Sequence, residues 1–226
     1  MKTFHKFDRT RQAAPQVFEW LREVILSLEL APGTPLSRAE LAERFALSQT
    51  PVRDALIKLS EEGLVDIYPQ HATLVSRIDI ASATQAHFLR CAIELEVVRT
   101  LALANDAVLR AKLSAQVDLQ AALATADTED FIASDQAFHR LMYDAAGVPD
   151  LYELVRQRSG HLDRLRRLDL PSPGKAARVV RDHRAIVEAL AAHDPDAAQA
   201  ALRVHLSGTL GHVADIRARY PHYVAA

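Results

Sequence analysis

The stretch "LAPGTPLSRAELAERFALSQTPVRDALIKLSEEGLV", Leu30 to Val65, decides how the first third of this chain folds. Ser37 and Glu40 have the spacing of a capping box, in which each side chain satisfies a backbone N–H that a helix start otherwise leaves orphaned. They open a helix that runs through Leu41 to about Phe45. After the turn "ALS", Ser48 suits an N-cap, and Pro51 is tolerated in the first turn of a further helix because no intrahelical bond is lost there. Val52, Ala55, Leu56 and Leu59 recur at helical spacing as its inner stripe, and Gly63 stops it.

The reading extends in both directions. Upstream, Pro15 fits the first turn of a helix whose Val17, Leu21, Val24, Ile25 and Leu28 share one face, and "APGTPL" ends it. Downstream the period changes to that of strands: "LVDIY" and "TLVS" are rich in β-branched residues and are joined by the turn "PQHA". Three short helices followed by a β-hairpin is the order of a winged helix-turn-helix, which sets its last helix in the DNA major groove. With the stripe turned inward, Ser48, Gln49, Thr50 and Arg53 stand exposed at the start of the third helix. Gln pairs with adenine, Thr reaches a base edge or a thymine methyl, and Arg reads guanine or holds a phosphate. Arg38, at the start of the second helix, is placed for the DNA backbone, and His71, at the wing tip, for a minor groove. Residues 1–12, with Lys2, Lys6, Arg9 and Arg11, read as a flexible basic arm. The competing reading is a winged fold used for protein contacts, with Arg38 and Arg53 as solvated surface charges.

Composition bounds the classes. The chain has 226 residues, 49% of them hydrophobic and 25% charged, which is enough for one large or two small cores. The opening "MKTFHKFDRTRQ" has no apolar signal region, and no apolar run approaches the ~20 residues of a bilayer span, so a cytoplasmic protein is expected. Cys91 is the one cysteine, which excludes an internal disulfide. The net charge of -2 gives no global attraction to nucleic acid, and residues 1–78 carry ten Lys plus Arg against ten Asp plus Glu. Any DNA contact must come from where the charges lie.

From about Ile80 onward the segments become long, Ala- and Leu-rich and helical, which places a boundary near Ser76. The expected organisation is a DNA-binding domain over 1–76, a linker over 77–82 and an all-α antiparallel bundle over 83–221. Six helices are predicted, at about 80–104, 106–125, 128–146, 149–168, 174–192 and 195–219, with breaks at Asn105, Gly147, "LPSPGK" and "HDPD".

Inside the bundle the pattern carries polar residues where a core is expected. Phe131, Asp135, Phe138 and Met142 share one stripe with His139 alongside, His183 lies among Val179, Ile186 and Leu190, and His205 among Ala198, Ala201, Leu202 and Thr209. A carboxylate on such a face needs a partner, since desolvating the ion costs several kcal/mol. One carboxylate and three neutral imidazoles suit a divalent metal such as Zn2+ or Ni2+. Spacing by itself favours ordinary buried histidines hydrogen-bonded to Asp or backbone over a metal site. His212, seven residues after His205, falls on the same face if the helix continues, and His161 reads as a polar-face residue among Arg158, Arg164 and Arg166.

The stretch 30–65 with the wing "YPQHATLVS" resembles the GntR family of bacterial transcription regulators. By that resemblance Arg38, Gln49, Thr50 and Arg53 match DNA-contacting positions, and His71 and Ala72 the wing tip. The family often has Arg at the Gln49 position and Gly at the Ala72 position, where a Cβ opposes close approach to the minor groove. "FLRCAIELEVVRTLALA", "DQAFHRLMYDAAG" and "DHRAIVEALAAHDPDAAQAALRVHL" resemble the FCD ligand-binding domain of the FadR subfamily, and a six-helix bundle its VanR-type group. The resemblance implies that Asp135, His139, His183 and His205 bind a metal that helps hold a small carboxylate effector. It also implies that Arg90 contributes to that effector site, although Arg90 and Glu94 equally form an i, i+4 salt bridge.

The reading is therefore a dimeric, effector-responsive regulator, a repressor and not an enzyme, on a pseudo-palindromic operator. Two alternatives stand beside it. His193 and Asp194 form the "HD" pair of a metal-dependent phosphohydrolase, although no H-E-x-x-H is present. The helical half could also serve only as a dimerising interaction module.

Overall fold

Local chemistry sets the N-terminal elements. The computed structural model describes Asp8, residues 10–104, 106–125 and 128–225. Lys2, Lys6, Arg9 and the break at Asn105 lie outside the described residues. Helix α1, Ala13–Leu26, buries Val17, Trp20, Leu21, Val24 and Ile25. Helix α2, Arg38–Phe45, starts from Ser37, whose side chain accepts the Glu40 backbone N–H as the capping spacing requires. Helix α3, Gln49–Glu61, has Ser48 at its N-cap position and buries Val52, Ala55, Leu56 and Leu59. Strands β1, Val65–Tyr68, and β2, Ala72–Val75, form an antiparallel hairpin in which Val65 faces Val75 and Tyr68 faces Ala72. The stretch after α1 does more than end a helix. Pro35 bridges to Leu74, with Gly33 N–H donating to Val75 O and Leu36 N–H to Thr73 O, so "PGTPL" lines the free edge of the hairpin. One apolar cluster closes this part, with Trp20 edge-on to Phe45 at 5.3 Å between ring centroids.

The C-terminal part is helical throughout: α4, Ile80–Ala104; α5, Ala107–Leu123; α6, Thr128–Ala145; α7, Pro149–Arg158; α8, Gly160–Asp169; α9, Lys175–Ala191; α10, Pro195–Ser207; and, after a 3-10 turn at Leu210–His212, α11, Val213–Arg219. Asp106 caps α5 and Asp194 caps α10 through backbone N–H groups three residues on. The chain separates into two compact units: residues up to Ala83 with Gly160–Leu165 and Asp215–Ala226, and Thr84–Ser159 with Arg166–Ala214. In the second unit α9 packs on α10 and α5 packs on α6 and α9, over a core that includes Val98, Leu113, Phe138, Met142, Ile186 and Leu202.

Two expected helices are broken. The helix read over 149–168 ends at Arg158, because Ser159 Oγ donates to Val155 O and draws off a backbone acceptor. Gly160 then begins α8, at a place where a Cβ would stand 2.7 Å from Leu64 Cδ2. The helix read over 195–219 breaks after Ser207, so His212 does not follow His205 on one face. At the other end of the chain Ile78 pairs with Val224, its N–H donating to Tyr223 O and its carbonyl accepting from Ala225.

Candidate functional site

The four polar residues that pattern placed on inner faces of α6, α9 and α10 converge. Asp135, His139, His183 and His205 are all buried, and one donor atom from each lies within 4.8 Å of every other. His139 Nε2 is 3.1 Å from His205 Nε2, His183 Nε2 is 3.3 Å from the same atom, and His183 Nε2 is 3.7 Å from Asp135 Oδ1. A zinc ion about 2.0–2.1 Å from each of four tetrahedral donors holds those donors about 3.3–3.4 Å apart. The cluster therefore has the dimensions of a mononuclear site.

The outer nitrogens decide what the inner ones present. His139 Nδ1 faces Glu94 Oε2 at 3.0 Å, and a carboxylate only accepts, so Nδ1 carries the hydrogen and Nε2 offers a lone pair inward. His183 Nδ1 lies 2.7 Å from Gln120 Oε1, which makes the same assignment. His205 Nε2 touches both and, as a neutral imidazole, supplies one hydrogen or one lone pair but not both. Asp135 Oδ1 and His205 Nδ1 are buried without a hydrogen-bond partner, and the 3.0 Å contact of His139 Nδ1 with Glu94 Oε2 is an ion-pair contact off hydrogen-bond geometry. Lone pairs thus converge on one point with too few protons between them, an arrangement that could hold a cation.

Electrostatics agree. Burial pushes the Asp135 carboxyl up, but Arg166, whose Nη2 donates to Oδ2 at 2.5 Å, and His139, His183 and His205 together outweigh it and hold the group well below the usual carboxylate range. Burial raises Glu94 too, yet Arg90 and His139 bring it down to about 2. Burial lowers His183 to about 3 and His205 well below the ordinary imidazole value, which keeps both neutral as metal ligands require. Arg90 is buried one carboxylate away from the ligands: its Nε donates to Glu94 Oε1 at 2.7 Å.

Three other histidines are accounted for differently. His161 is buried and not on a polar face: Nδ1 accepts from Asp79 N–H at 3.0 Å and from Arg164, and burial lowers it to about 4. Arg164, also expected at the surface, has no exposure at all and donates to Ser76 O at 2.7 Å and to Ser76 Oγ at 3.1 Å. His212 Nδ1 lies 3.1 Å from Asp169, which also pairs with the buried Lys175 at 2.6 Å. His193 sits at φ 55 in the turn before α10, and Asp194 beside it is taken up as that helix's cap.

In the first unit, Arg38, Ser48, Gln49, Thr50 and Arg53 are exposed at the starts of α2 and α3, and His71 is exposed in the hairpin turn. Asp106 and Asp194 show polar residues of this chain taken up by helix capping. Among the described residues the exposed set at α3 has no such capping role.

Comparison with known proteins bears on both parts. A family model described as "Bacterial regulatory proteins, gntR family" matches residues 13–75, and one described as "FCD domain" matches residues 85–208. An HTH-type transcriptional regulator from an unstable DNA locus of Streptomyces ambofaciens is 38% identical over 205 residues, covering 91% of this chain and 86% of that protein. The chain belongs to the GntR family. It is a GntR-type transcriptional regulator with an FCD domain. The HTH-type transcriptional repressor RspR of Escherichia coli K12 is 32% identical over 213 residues, covering 94% and 93% of the two chains. Among solved structures, E. coli McbR/YncC superposes with a TM-score of 0.72 at 23% identity over 93% of this chain and 99% of its own, a likeness of fold.

Sequence reasoning missed three groups around the FCD-domain cluster of this GntR regulator. Gln120 continues the buried stripe of Leu109, Leu113 and Val117 on α5, so a polar residue at an apolar position was a readable signal. Glu94 was visible only as the partner of Arg90. Arg166 follows the buried Leu165 on α8 and carries no pattern that points toward Asp135.

Proposed function

We propose that this GntR regulator is a homodimeric repressor whose affinity for a pseudo-palindromic operator is set by a small carboxylate effector, bound at a divalent metal held by Asp135, His139, His183 and His205. The observation that carries the reading is the convergence of three imidazole Nε2 atoms and one carboxylate oxygen within 4.8 Å. Three imidazole nitrogens and a single carboxylate favour zinc or nickel over magnesium or calcium. When bound, the metal supplies a Lewis-acidic anchor for a carboxylate oxygen. Charge supports an anion there. Asp135 is matched by Arg166 and Glu94 by Arg90, so a divalent cation adds two positive charges to a buried centre that these pairs leave neutral. An anionic effector offsets them, with Arg90 as its second contact. The name of RspR as a repressor supports the sign of regulation.

Residues 1–76 bind the operator in this reading, 77–82 link, and 83–221 bind effector and dimerise. Arg38 holds the DNA backbone, Ser48, Gln49, Thr50 and Arg53 enter the major groove, and His71 reaches the minor groove. The effector changes DNA affinity only as far as it binds the two states of the dimer unequally.

Electrophoretic shift of the DNA upstream of its own gene tests the proposal directly, run with sugar acids, hydroxy acids and dicarboxylates before and after chelation. Sequence-selective binding is expected, weakened by about 1–3 kcal/mol in Arg53→Ala. Binding that ignores sequence in the wild type refutes it.

A further inference from the structure

We propose that Glu94 is a positioning residue of the metal centre, orienting His139 toward the ion and Arg90 toward the effector with its two carboxylate oxygens. The inference rests on the metal reading above and deepens it. Glu94 is 1% exposed on α4, and its oxygens are divided. Oε1 takes Arg90 Nε at 2.7 Å and lies 3.4 Å from the Tyr143 hydroxyl, while Oε2 faces His139 Nδ1 at 3.0 Å. A salt bridge that only pairs Arg90 with its neighbour one turn on along α4 is complete with Oε1. The second oxygen, buried and turned to an imidazole whose other nitrogen points at the cluster, makes the carboxylate–histidine–metal arrangement in which an outer acceptor fixes the tautomer and ring orientation and raises ligand basicity.

The three histidines are graded by what faces the outer nitrogen. His139 Nδ1 lies at ion-pair distance from an anion, though off hydrogen-bond geometry, His183 Nδ1 lies 2.7 Å from the neutral amide oxygen of Gln120, and His205 Nδ1 faces neither. Glu94 therefore singles out one ligand for the strongest support, and does so with the group that also holds the effector's arginine. Metal and effector affinity are linked through this single carboxylate, and the linkage is reciprocal.

The test measures Zn2+ affinity by competition with a chromogenic chelator, together with the visible absorption of the Co2+-loaded protein, for wild type and Glu94→Gln. Glu94→Gln is isosteric and removes the charge; zinc affinity is expected to fall 10–100-fold with an altered Co2+ spectrum. Because that variant leaves Arg90 buried against a neutral amide, Glu94→Gln combined with Arg90→Gln removes both charges and serves where the single variant does not fold. Tyr143→Phe, which loses only the more distant hydroxyl, keeps zinc affinity within about threefold. Zinc affinity within threefold of wild type and an unchanged Co2+ spectrum in a folded Glu94 variant overturn the assignment and leave Glu94 as a structural partner of Arg90. Wild-type protein that takes up no zinc overturns the metal reading itself, and this inference with it.

Discussion

Two buried polar clusters in this molecule are built from the same kinds of residue and come to opposite ends. In the first unit Arg164 makes four hydrogen bonds, to Gly160 O, Ser76 O, Ser76 Oγ and His161 Nδ1, and Ser76 in turn donates to Gly63 O and Leu64 O. In the second, Asp135 Oδ1 and His205 Nδ1 are buried with no partner, and three imidazole nitrogens crowd around one carboxylate. The first is saturated by protein groups and tolerates no addition; Gly63, at φ +72, has no room for a Cβ, which would stand 2.9 Å from His161 Nε2. The second could hold a metal ion among its four donor atoms. Burial alone does not mark a functional site, since both are buried; an unmet valence does.

The largest expected effect falls on the saturated cluster. Arg164→Met leaves Ser76 O without its donor and His161 Nδ1 with only the Asp79 N–H, and urea denaturation is expected to show a loss of about 3–5 kcal/mol, the same with zinc or with chelator. A zinc-dependent loss would erase the distinction between the clusters. Next comes pH. His161 has its pKa lowered to about 4 from an ordinary 6.5, so between those values the unfolded chain binds the extra proton and the folded one does not. Its contribution is present above pH 6.5 and is lost as pH falls toward 4, by about 3 kcal/mol at most. His161→Gln should flatten the urea midpoint over that window. Smaller still is the response of the second cluster to metal: zinc at a hundred times its Kd raises unfolding free energy by about 2.7 kcal/mol. His183→Ala abolishes that rise in a melting experiment, whereas His161→Gln retains it. A rise that survives His183→Ala places the metal elsewhere.

The four ligand candidates were legible because helical periodicity put Asp135, His183 and His205 on apolar stripes, where an unpaired polar group is costly and so informative. Gln120 stood on such a stripe too and was overlooked because a neutral amide raises less alarm than an ion. Arg164 and His161 were misplaced for the opposite reason. Three arginines and a histidine close together read as a wet face, and only carbonyls and hydroxyls from residues some eighty positions away, such as Ser76, make burial of a guanidinium affordable. The helix breaks at Ser159 and Gly208 were hidden because a single Ser or Gly is tolerated in a helix. What ended the first was a hydrogen bond to Val155 O and the approach of Leu64 to Gly160.

Sequence by itself determined the elements of the winged domain, the helical character of the rest and the inward-facing positions of Asp135, His139, His183 and His205. Caps, turn residues and apolar periods act over a few residues and are written locally. Tertiary structure alone decided which nitrogen each histidine turns inward, that Glu94, Gln120 and Arg166 stand behind the ligands, and that Arg164 is locked while Asp135 is left wanting. Those outcomes depend on hydrogen-bond partners brought together from distant positions, where angle and distance of a few tenths of an ångström choose between donor and acceptor.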